Sequence, residues 1–246
     1  MGDGLLVLWD IDQTLIVTSG VATEAYAEAV HATIGQDWRG DMSYNGLTER
    51  AMAARILRQH DVEPDPEVLA RLLANVERAL LDRTEATRTR GRALDGAHAA
   101  LAAIAGGGLA GPAGNGTRQS VLTGNVRSVA EMKLRAFDLH TWVDFGIGAY
   151  GDDEFERNAL IPHAWRRAEA RYGQRYSPAR TVILGDTARD VEAALAHDAA
   201  IVAVASGTTP AESLREAGAQ VVLDDLADTT AVLVAIQDAV KIATRG

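Results

Sequence analysis

The sequence predicts an α/β fold in which a parallel β-sheet carries helices on both faces and an all-helical segment is inserted near the N-terminus. Two observations predict it. Short apolar runs without a helical period alternate with amphipathic segments along most of the chain, whereas residues 17–87 contain only helical patterns. Strands that alternate with helices of this length form right-handed βαβ units and therefore a parallel sheet.

The first predicted strand, residues 5–10, is an uninterrupted apolar run that ends in Asp10, as expected of a strand buried on both faces. Similar runs predict further strands at residues 120–123, 143–147, 181–185, 201–205 and 220–223. Amphipathic segments between them predict helices at residues 95–105, 126–137, 159–172, 190–197 and 210–217.

The insertion carries three helical patterns, at residues 21–34, 48–60 and 66–82. We interpret residues 17–87 as a helical cap domain over the carboxyl edge of the sheet, with residues 1–16 and 88–246 forming the core. The Gly-rich segment 105–116 fits a long surface connection, because its spacing does not match a phosphate-binding loop and it lacks that loop's Lys.

Composition excludes several classes of function. The absence of Cys rules out disulfides, thiolate metal sites and a cysteine nucleophile. A formal net charge of -10 disfavours binding to nucleic acid or to anionic membranes. No apolar run approaches the roughly 20 residues of a membrane-spanning helix, and the N-terminus lacks a basic signal region, so we expect a cytoplasmic protein.

Acidic pairs follow two of the predicted strands. The motif DIDQT at residues 10–14 follows the first strand, and GDTARD at residues 185–190 follows the strand at 181–185. Either pair alone also fits a turn or a helix cap. Together, at the carboxyl edge of one sheet, Asp10, Asp12, Asp186 and Asp190 form an oxygen-rich site of the kind that Mg²⁺ prefers.

A third motif, TGN at residues 123–125, lies between a predicted strand and a predicted helix. Thr123, Gly124 and Asn125 offer a hydroxyl and free backbone N–H groups at a helix N-terminus, which suits an anion. Taken alone, the motif fits an ordinary helix cap equally well.

DIDQT, TGN and GDTARD, in this order on successive strands, resemble the signature motifs of the haloacid dehalogenase superfamily. The closest branch resembles phosphoglycolate phosphatase, and the resemblance implies a Rossmann-like core with a helical cap, Mg²⁺ as cofactor and an aspartyl-phosphate intermediate. It further implies that Asp10 is the nucleophile, that Asp12 is the general acid/base and lends a backbone carbonyl to Mg²⁺, and that Thr123 binds the phosphoryl group. Asp186 matches the metal-binding carboxylate, and Asp190 matches an acidic neighbour that supports the site directly or through water.

The family pattern also requires a cation, usually Lys, between the second and fourth motifs. Of the two lysines, Lys133 lies about two turns into the helix after Thr123 and Lys241 lies near the C-terminus, so neither is expected to fill the position. Arg157 is the best candidate, because guanidinium is always charged and can clamp phosphate with two hydrogen bonds. A solvated Arg in an acidic loop is the alternative.

Gln13 departs from the family pattern, which commonly has Gly there. Either the turn has a positive φ and Gln13 is strained, or the turn differs and Gln13 faces the cap or the substrate.

Substrate recognition is assigned to the loop around residues 43–48, with Tyr44 and Arg50 as binding residues; an ordinary interhelical turn is the alternative. The polar residues of the insertion that can face the site are Thr18, Ser19, Thr23, His31, Tyr44, Asn45, Thr48, Glu49 and Arg50.

Other activities of the superfamily fit less well. Asp12 argues against dehalogenation, and the absence of Lys from residues 17–87 argues against Schiff-base chemistry. A sugar phosphomutase resembling β-phosphoglucomutase remains the second hypothesis, because it uses the same nucleophile and acid/base pair. A non-catalytic binding protein would tolerate loss of Asp10, so the presence of Asp10 argues against that class of protein. We therefore expect a phosphatase acting on a small phosphorylated metabolite, as a monomer or a homodimer.

Overall fold

The computed structural model describes residues 4–39, 46–109 and 116–245. Its strands are β1 Leu6–Trp9, β2 Ile16–Val17, β3 Arg92–Ala93, β4 Arg118–Val121, β5 Thr181–Gly185, β6 Ala200–Val204 and β7 Val222–Leu223. Its helices are α1 Val21–Ile34, α2 Glu49–Gln59, α3 Pro66–Leu81, α4 Thr84–Arg90, α5 Ala97–Ala105, α6 Arg127–Ala136, α7 Ile161–Tyr172, α8 Ala188–Leu195, α9 Ala211–Glu216 and α10 Thr229–Ala243.

Within the described residues, five strands form a parallel sheet in the order β4-β1-β5-β6-β7. The last residue of β1, Trp9, lies opposite Val121 of β4 and Leu184 of β5. The segments that follow these three neighbouring strands therefore leave the sheet at the same edge, as predicted. The predicted α/β core with a parallel sheet is confirmed.

Alternation along β1 divides the core between the two faces of the sheet. Leu5, Val7 and Trp9 pack in one hydrophobic cluster with α5 and α10, whereas Leu6 and Leu8 pack in another with α7 and α8. Successive side chains of a strand point to opposite faces, so a continuous apolar run is what a strand covered on both faces requires.

The predicted strand at residues 143–147 is wrong. Asp144 Oδ1 accepts the backbone N–H of Gly146 at 2.8 Å and starts a 3₁₀ turn at Phe145–Ile147. Ile147 is buried, which explains the apolar pattern, but only an isolated bridge between Leu122 and Ala149 continues the sheet beyond β4. A side chain that caps a turn competes here with strand pairing.

Along the chain, the helices of the insertion lie between two short strands, β2 and β3. These two strands pair with each other in the antiparallel direction. Helices α1, α2 and α3 begin and end within two residues of the predicted bounds, whereas α4 and the C-terminal helix α10 were not predicted. Thr48 and Asp65 cap α2 and α3, and Pro66 occupies the first turn of α3.

The insertion has its own hydrophobic cluster, built from α1, α2 and α3, which Val129 and Met132 of α6 join. Ala130 and Leu134 of α6 belong instead to the core of the sheet. Helix α6 thus packs between the two hydrophobic clusters. None of the described helices has both the length and the apolar character needed to cross a membrane.

Candidate active site

The three sequence motifs converge at the carboxyl edge of the sheet. Asp10 follows β1, Thr123 follows β4 and Asp186 follows β5, and these strands are neighbours. This edge is where open parallel sheets bind their ligands.

A cavity of about 320 Å³ lies between this edge and the inserted helices. The core contributes Asp10, Asp12, Gln13, Thr123, Gly124, Asn125, Lys133, Arg157, Asp186 and Thr187. The insertion and its connections contribute Val17, Thr18, Ser19, Gly20, Ala22, Thr23, Tyr26, Gly46, Leu47, Glu49, Met52 and Leu80. The size and the mixed lining suit a small polar ligand.

Three buried carboxylates meet at one end of the cavity. Asp10, Asp186 and Asp190 each place one oxygen within 4.8 Å of the others. Burial raises the pKa of Asp10 to about 6, against the opposing charge of Arg157. Burial and the charge of Asp10 raise the pKa of Asp186 to about 8. The cluster therefore requires protons or a cation at neutral pH.

Asp186 fits the role of a metal ligand. Its Oδ1 accepts the hydroxyl of Thr14 at 3.1 Å, whereas its Oδ2 is buried and has no hydrogen-bond partner among the described residues. An orphaned buried carboxylate oxygen is costly unless a cation or a proton satisfies it. With the oxygens of Asp10 adjacent, the donor set suits Mg²⁺, which takes carboxylate oxygens and keeps several waters.

Asp190 is already fully engaged by protein groups. One oxygen accepts two hydrogen bonds from Arg157, and the other accepts the backbone N–H and the hydroxyl of Thr187. The Thr187–Asp190 pair is also the capping box of α8. Because both oxygens of Asp190 already accept hydrogen bonds, a supporting role fits this residue better than direct metal ligation. The contacts with Thr187 are also those expected from the helix-cap alternative.

Arg157 lies in the site. Its guanidinium is 3.0 Å from Asp10 Oδ1, binds Asp190 and donates to the carbonyl of Leu122 at 3.3 Å. The side chain is 4% exposed, so it is not the solvated Arg of the alternative interpretation. Although burial opposes its charge, the two carboxylates raise the pKa of Arg157 further, so it remains a fixed cation.

Lys133 lies in the site, so the prediction that it is poorly placed for a role there is wrong. Its ammonium donates to Asp12 Oδ1 and Oδ2 at 2.8 and 2.7 Å and to Asn125 Oδ1 at 2.7 Å. Lys133, in the second turn of α6, therefore lies beside Asp12 and lines the cavity. The available signal was position: Lys133 lies in the apolar stripe formed with Val126, Val129 and Ala130.

The TGN motif connects Thr123 with the hydrogen bonds around Asp12. Asn125 Nδ2 donates to Asp12 Oδ2 and to Thr123 Oγ1, both at 2.8 Å. Thr123 and Asn125 are therefore more than helix caps, since no side-chain hydrogen bond caps α6. Gly124 lies against the insertion, where its carbonyl accepts the backbone N–H of Glu49 at 2.8 Å.

Gln13 shows both of the features considered for this position, a positive φ and a place in the cavity lining. Its φ is 64°, which is unfavourable for a side chain larger than Gly, and it also lines the cavity. Its backbone N–H donates to Ile16 at 2.8 Å, and its carbonyl accepts the hydroxyl of Ser206 at 2.6 Å. These two bonds hold the turn that carries Asp12 toward Lys133.

The inserted helices contribute a different set of residues from the predicted binding pair. Arg50 is exposed and does not line the cavity, whereas its neighbour Glu49 is buried and does. Thr18, Ser19 and Thr23 also line it; His31 is exposed, and Thr48 binds the carbonyl of Phe155. Tyr44 and Asn45 lie outside the described residues.

Comparison with known proteins agrees with the resemblance to the haloacid dehalogenase superfamily. The family model HAD-hydrolase-like matches residues 158–229, which include the GDTARD motif. No curated protein sequence matches the chain.

Solved structures share the fold over nearly the whole chain. A hydrolase from Pseudomonas syringae superposes with a TM-score of 0.69 at 20% identity, covering 94% of this chain and 99% of that one. A predicted phosphatase from Clostridium acetobutylicum gives 0.69 at 17% identity, covering 95% and 98%. CbbY from Rhodobacter sphaeroides, in complex with xylulose-1,5-bisphosphate, gives 0.68 at 21% identity, covering 93% and 96%. These likenesses establish the fold, and the family model at residues 158–229 agrees with the predicted superfamily.

Proposed function

We propose that this chain is a phosphatase that hydrolyses a small phosphomonoester through an aspartyl-phosphate on Asp10, with Mg²⁺ as cofactor. The single observation that carries the proposal is the convergence of Asp10, Asp186 and Arg157 at one end of the cavity. An anionic nucleophile can approach a phosphate only where fixed positive charge screens both, and this cluster is built around such charge.

Asp10 and Asp186 would hold the Mg²⁺, together with the backbone carbonyl of Asp12. When bound, the ion supplies charge neutralisation and orients the phosphoryl oxygens. Arg157 supplies further positive charge beside Asp10, and its bonds to Asp190 keep the guanidinium in place. The Thr123 hydroxyl is available to a phosphoryl oxygen at the same end of the cavity.

In the first step, an Asp10 carboxylate oxygen forms a bond to phosphorus while the bond from phosphorus to the ester oxygen breaks. Asp12 gives a proton to the departing oxygen. In the second step, water attacks the phosphorus of the aspartyl-phosphate, Asp12 takes the proton of that water, and inorganic phosphate leaves. Lys133 and Asn125 fix the Asp12 carboxyl group through three hydrogen bonds, two from the ammonium and one from the amide.

The inserted helices are proposed to act as a cap, with residues 17–87 as the cap domain. Closure over the carboxyl edge would sequester the phosphoryl group, and opening would release products. The β2–β3 pair, where the chain passes between the sheet and the inserted helices, is the natural pivot.

The second hypothesis, a sugar phosphomutase, is less well supported. Moving a phosphoryl group between two hydroxyls of one sugar passes through a bisphosphate, and the second phosphate needs its own cations. Among the described residues that line the cavity, Lys133 and Arg157 are the cations, and both are bound to carboxylates of the core. Hydrolysis is therefore the function that the geometry supports best.

The test is release of inorganic phosphate from a panel of small phosphomonoesters, with Mg²⁺ or with a chelator. We expect release that depends on Mg²⁺ and stops in the chelator. If no ester released phosphate in Mg²⁺ while hexose phosphates were isomerised, the mutase would replace the phosphatase. Release at an undiminished rate in the chelator would contradict the metal-dependent mechanism.

A further inference from the structure

The wall of the cavity that faces the phosphoryl site is acidic. Glu49 lies in the first turn of α2, is 4% exposed and lines the cavity. One of its carboxylate oxygens accepts the hydroxyl of Tyr26, which is also buried and lines the cavity. A buried carboxylate that opens onto a polar cavity is available to bind a ligand group.

Glu49 has a fixed position relative to the phosphoryl site. Its backbone N–H donates to the carbonyl of Gly124 at 2.8 Å, and Gly124 directly follows Thr123. The carboxylate therefore lies near the part of a substrate that extends from the phosphoryl group into the cavity, which is the leaving group.

The inserted helices offer no positive charge to oppose Glu49. In the part of the chain that the structure describes, the insertion places no Lys, Arg or His in the cavity lining. Residues 40–45, which fall between the described ranges, contain no Lys, Arg or His in the sequence. Arg83 of the insertion pairs with Glu28, and Arg90, which follows the insertion, pairs with Glu24.

We propose that Glu49, held by Tyr26, selects phosphomonoesters whose leaving group presents hydroxyl groups and carries no second anionic group. The inference rests on the proposed phosphatase function and names its substrate class. A polyol or sugar phosphate would donate O–H hydrogen bonds to the carboxylate, which can accept several. A phosphorylated acid or a bisphosphate would place like charges together in a desolvated space.

Glu49 is positioned to be ionised under assay conditions. Burial raises the pKa of Glu49 to about 7, while the hydrogen bond from Tyr26 and the charge of Lys133 oppose the shift. The N-terminal turn of α2 also favours a negative charge. At about pH 8 most of the carboxylate is charged, so its discrimination against anionic leaving groups is largest there.

The test compares substrates that differ only in one group. Glycerol 1-phosphate and 3-phosphoglycerate differ by a hydroxymethyl group in place of a carboxylate, and so do 2-hydroxyethyl phosphate and 2-phosphoglycolate. We expect wild-type kcat/KM at about pH 8 to favour the hydroxyl member of each pair at least ~10-fold, because like charges in a water-poor site repel strongly.

Glu49→Gln removes the charge and keeps the shape. It should shrink each preference to about 3-fold or less, by slowing the hydroxyl ester and speeding the acid. Glu63→Gln is the matched control, because Glu63 is exposed between α2 and α3 and does not line the cavity; its preferences should equal those of the wild type. The wild-type comparison stands even if Glu49→Gln folds poorly.

Two results would overturn the inference without contradicting the phosphatase function. The first is that the wild type hydrolyses the acids as fast as the hydroxyl esters. The second is that the preference for the hydroxyl esters is unchanged in Glu49→Gln. Failure to release phosphate from either pair and from p-nitrophenyl phosphate would instead contradict the proposed function, and the inference with it.

Discussion

At the residue scale, the hydrogen bonds to Asp12 are the feature most closely related to the proposed acid/base chemistry. It is partly exposed to the cavity, yet two hydrogen bonds from Lys133 and one from Asn125 define where its carboxylate lies. An acid/base group must be held within hydrogen-bond reach of the atom it serves, and here two neighbouring donors do so.

Lys133→Met should therefore slow the reaction through Asp12. We expect kcat to fall ~10- to 100-fold on an alkyl phosphate, whose departing oxygen needs a proton, and much less on p-nitrophenyl phosphate, whose leaving group does not. The measurement is kcat and KM for both esters.

Lys241→Met is the matched control, since Lys241 is exposed, pairs with Asp238 and is the other lysine of the chain. It should leave both rates unchanged. An equal loss on the two esters in Lys133→Met would mean that Lys133 acts on folding or phosphate binding and not through Asp12.

The residues that sequence reasoning found and missed differ in a physical way. Asp10, Thr123 and Asp186 end neighbouring strands, so strand prediction alone brings them together. The apolar stripe of α6 indicates that Lys133 faces inward, but its contact with Asp12 depends on the packing of α6 between the core and the inserted helices, which the stripe does not specify. Glu49, not Arg50, faces the cavity because the capping geometry at Thr48 sets the rotation of α2.

At the scale of elements, the contact between α2 and the loop after β4 joins the inserted helices to the core. A Cβ on Gly124 would lie 2.0 Å from the carbonyl oxygen of Leu47, and one on Gly151 would lie 1.7 Å from the carbonyl oxygen of Gly124. Backbone segments approach this closely only where side chains are absent.

Gly124→Ala should push the inserted helices away from the sheet. Because a displacement of about 1 Å in a catalytic arrangement can cost about 100-fold, we expect kcat/KM to fall at least ~10-fold with the fold retained. Steady-state kinetics and circular dichroism measure the two effects. Gly106→Ala is the control, since Gly106 ends α5 with a negative φ and a Cβ there would come no closer than 3.3 Å to another residue, far less crowded than at Gly124. Wild-type kinetics in Gly124→Ala would show that this contact does not matter.

Element prediction succeeded where one signal dominates. Strands buried on both faces and capped amphipathic helices were found with small errors in their ends, as for β5 and α3. The segment at residues 143–147 has the apolar content of a strand, but Asp144 binds the N–H of Gly146 and turns the chain. The β2–β3 pair is too short to leave a pattern, because its two strands meet only through the fold of the insertion.

At the scale of the whole molecule, the buried carboxylates link stability to pH and metal. Without a cation, the pKa values of Asp10, Glu49 and Asp186 are raised to about 6, 7 and 8, from 3.8, 4.5 and 3.8. Groups with raised folded-state pKa values stabilise the fold fully below their unfolded values, and this stabilisation is lost as the pH rises through about 6 to 8.

The melting temperature in chelator should therefore fall between about pH 5.5 and pH 8.5. Saturating Mg²⁺ should raise it by ~5 °C at the higher pH and by less at the lower pH, because the ion binds the deprotonated cluster. Thermal unfolding of the intact chain in the two conditions measures the difference. Asp186→Asn should abolish the Mg²⁺ effect; an unchanged effect in that variant would place the ion elsewhere.

The acidic surface of the molecule is consistent with this dependence on local positive charge. With a formal net charge of -10, the chain repels a phosphate ester at long range, and the cations at the base of the cavity must reverse that locally. Arg157 contributes most directly, because it contacts the proposed nucleophile itself.

The most direct test of the central claim is phosphate release by Asp10→Asn, on the best ester of the panel and in Mg²⁺. The amide keeps the shape of the side chain but is a poor nucleophile, so we expect the rate to fall at least ~1,000-fold while the circular dichroism spectrum is unchanged. Asp95→Asn, an exposed site outside the cavity, should retain the wild-type rate. Release by Asp10→Asn at a rate near that of the wild type would contradict the claim that Asp10 is the nucleophile.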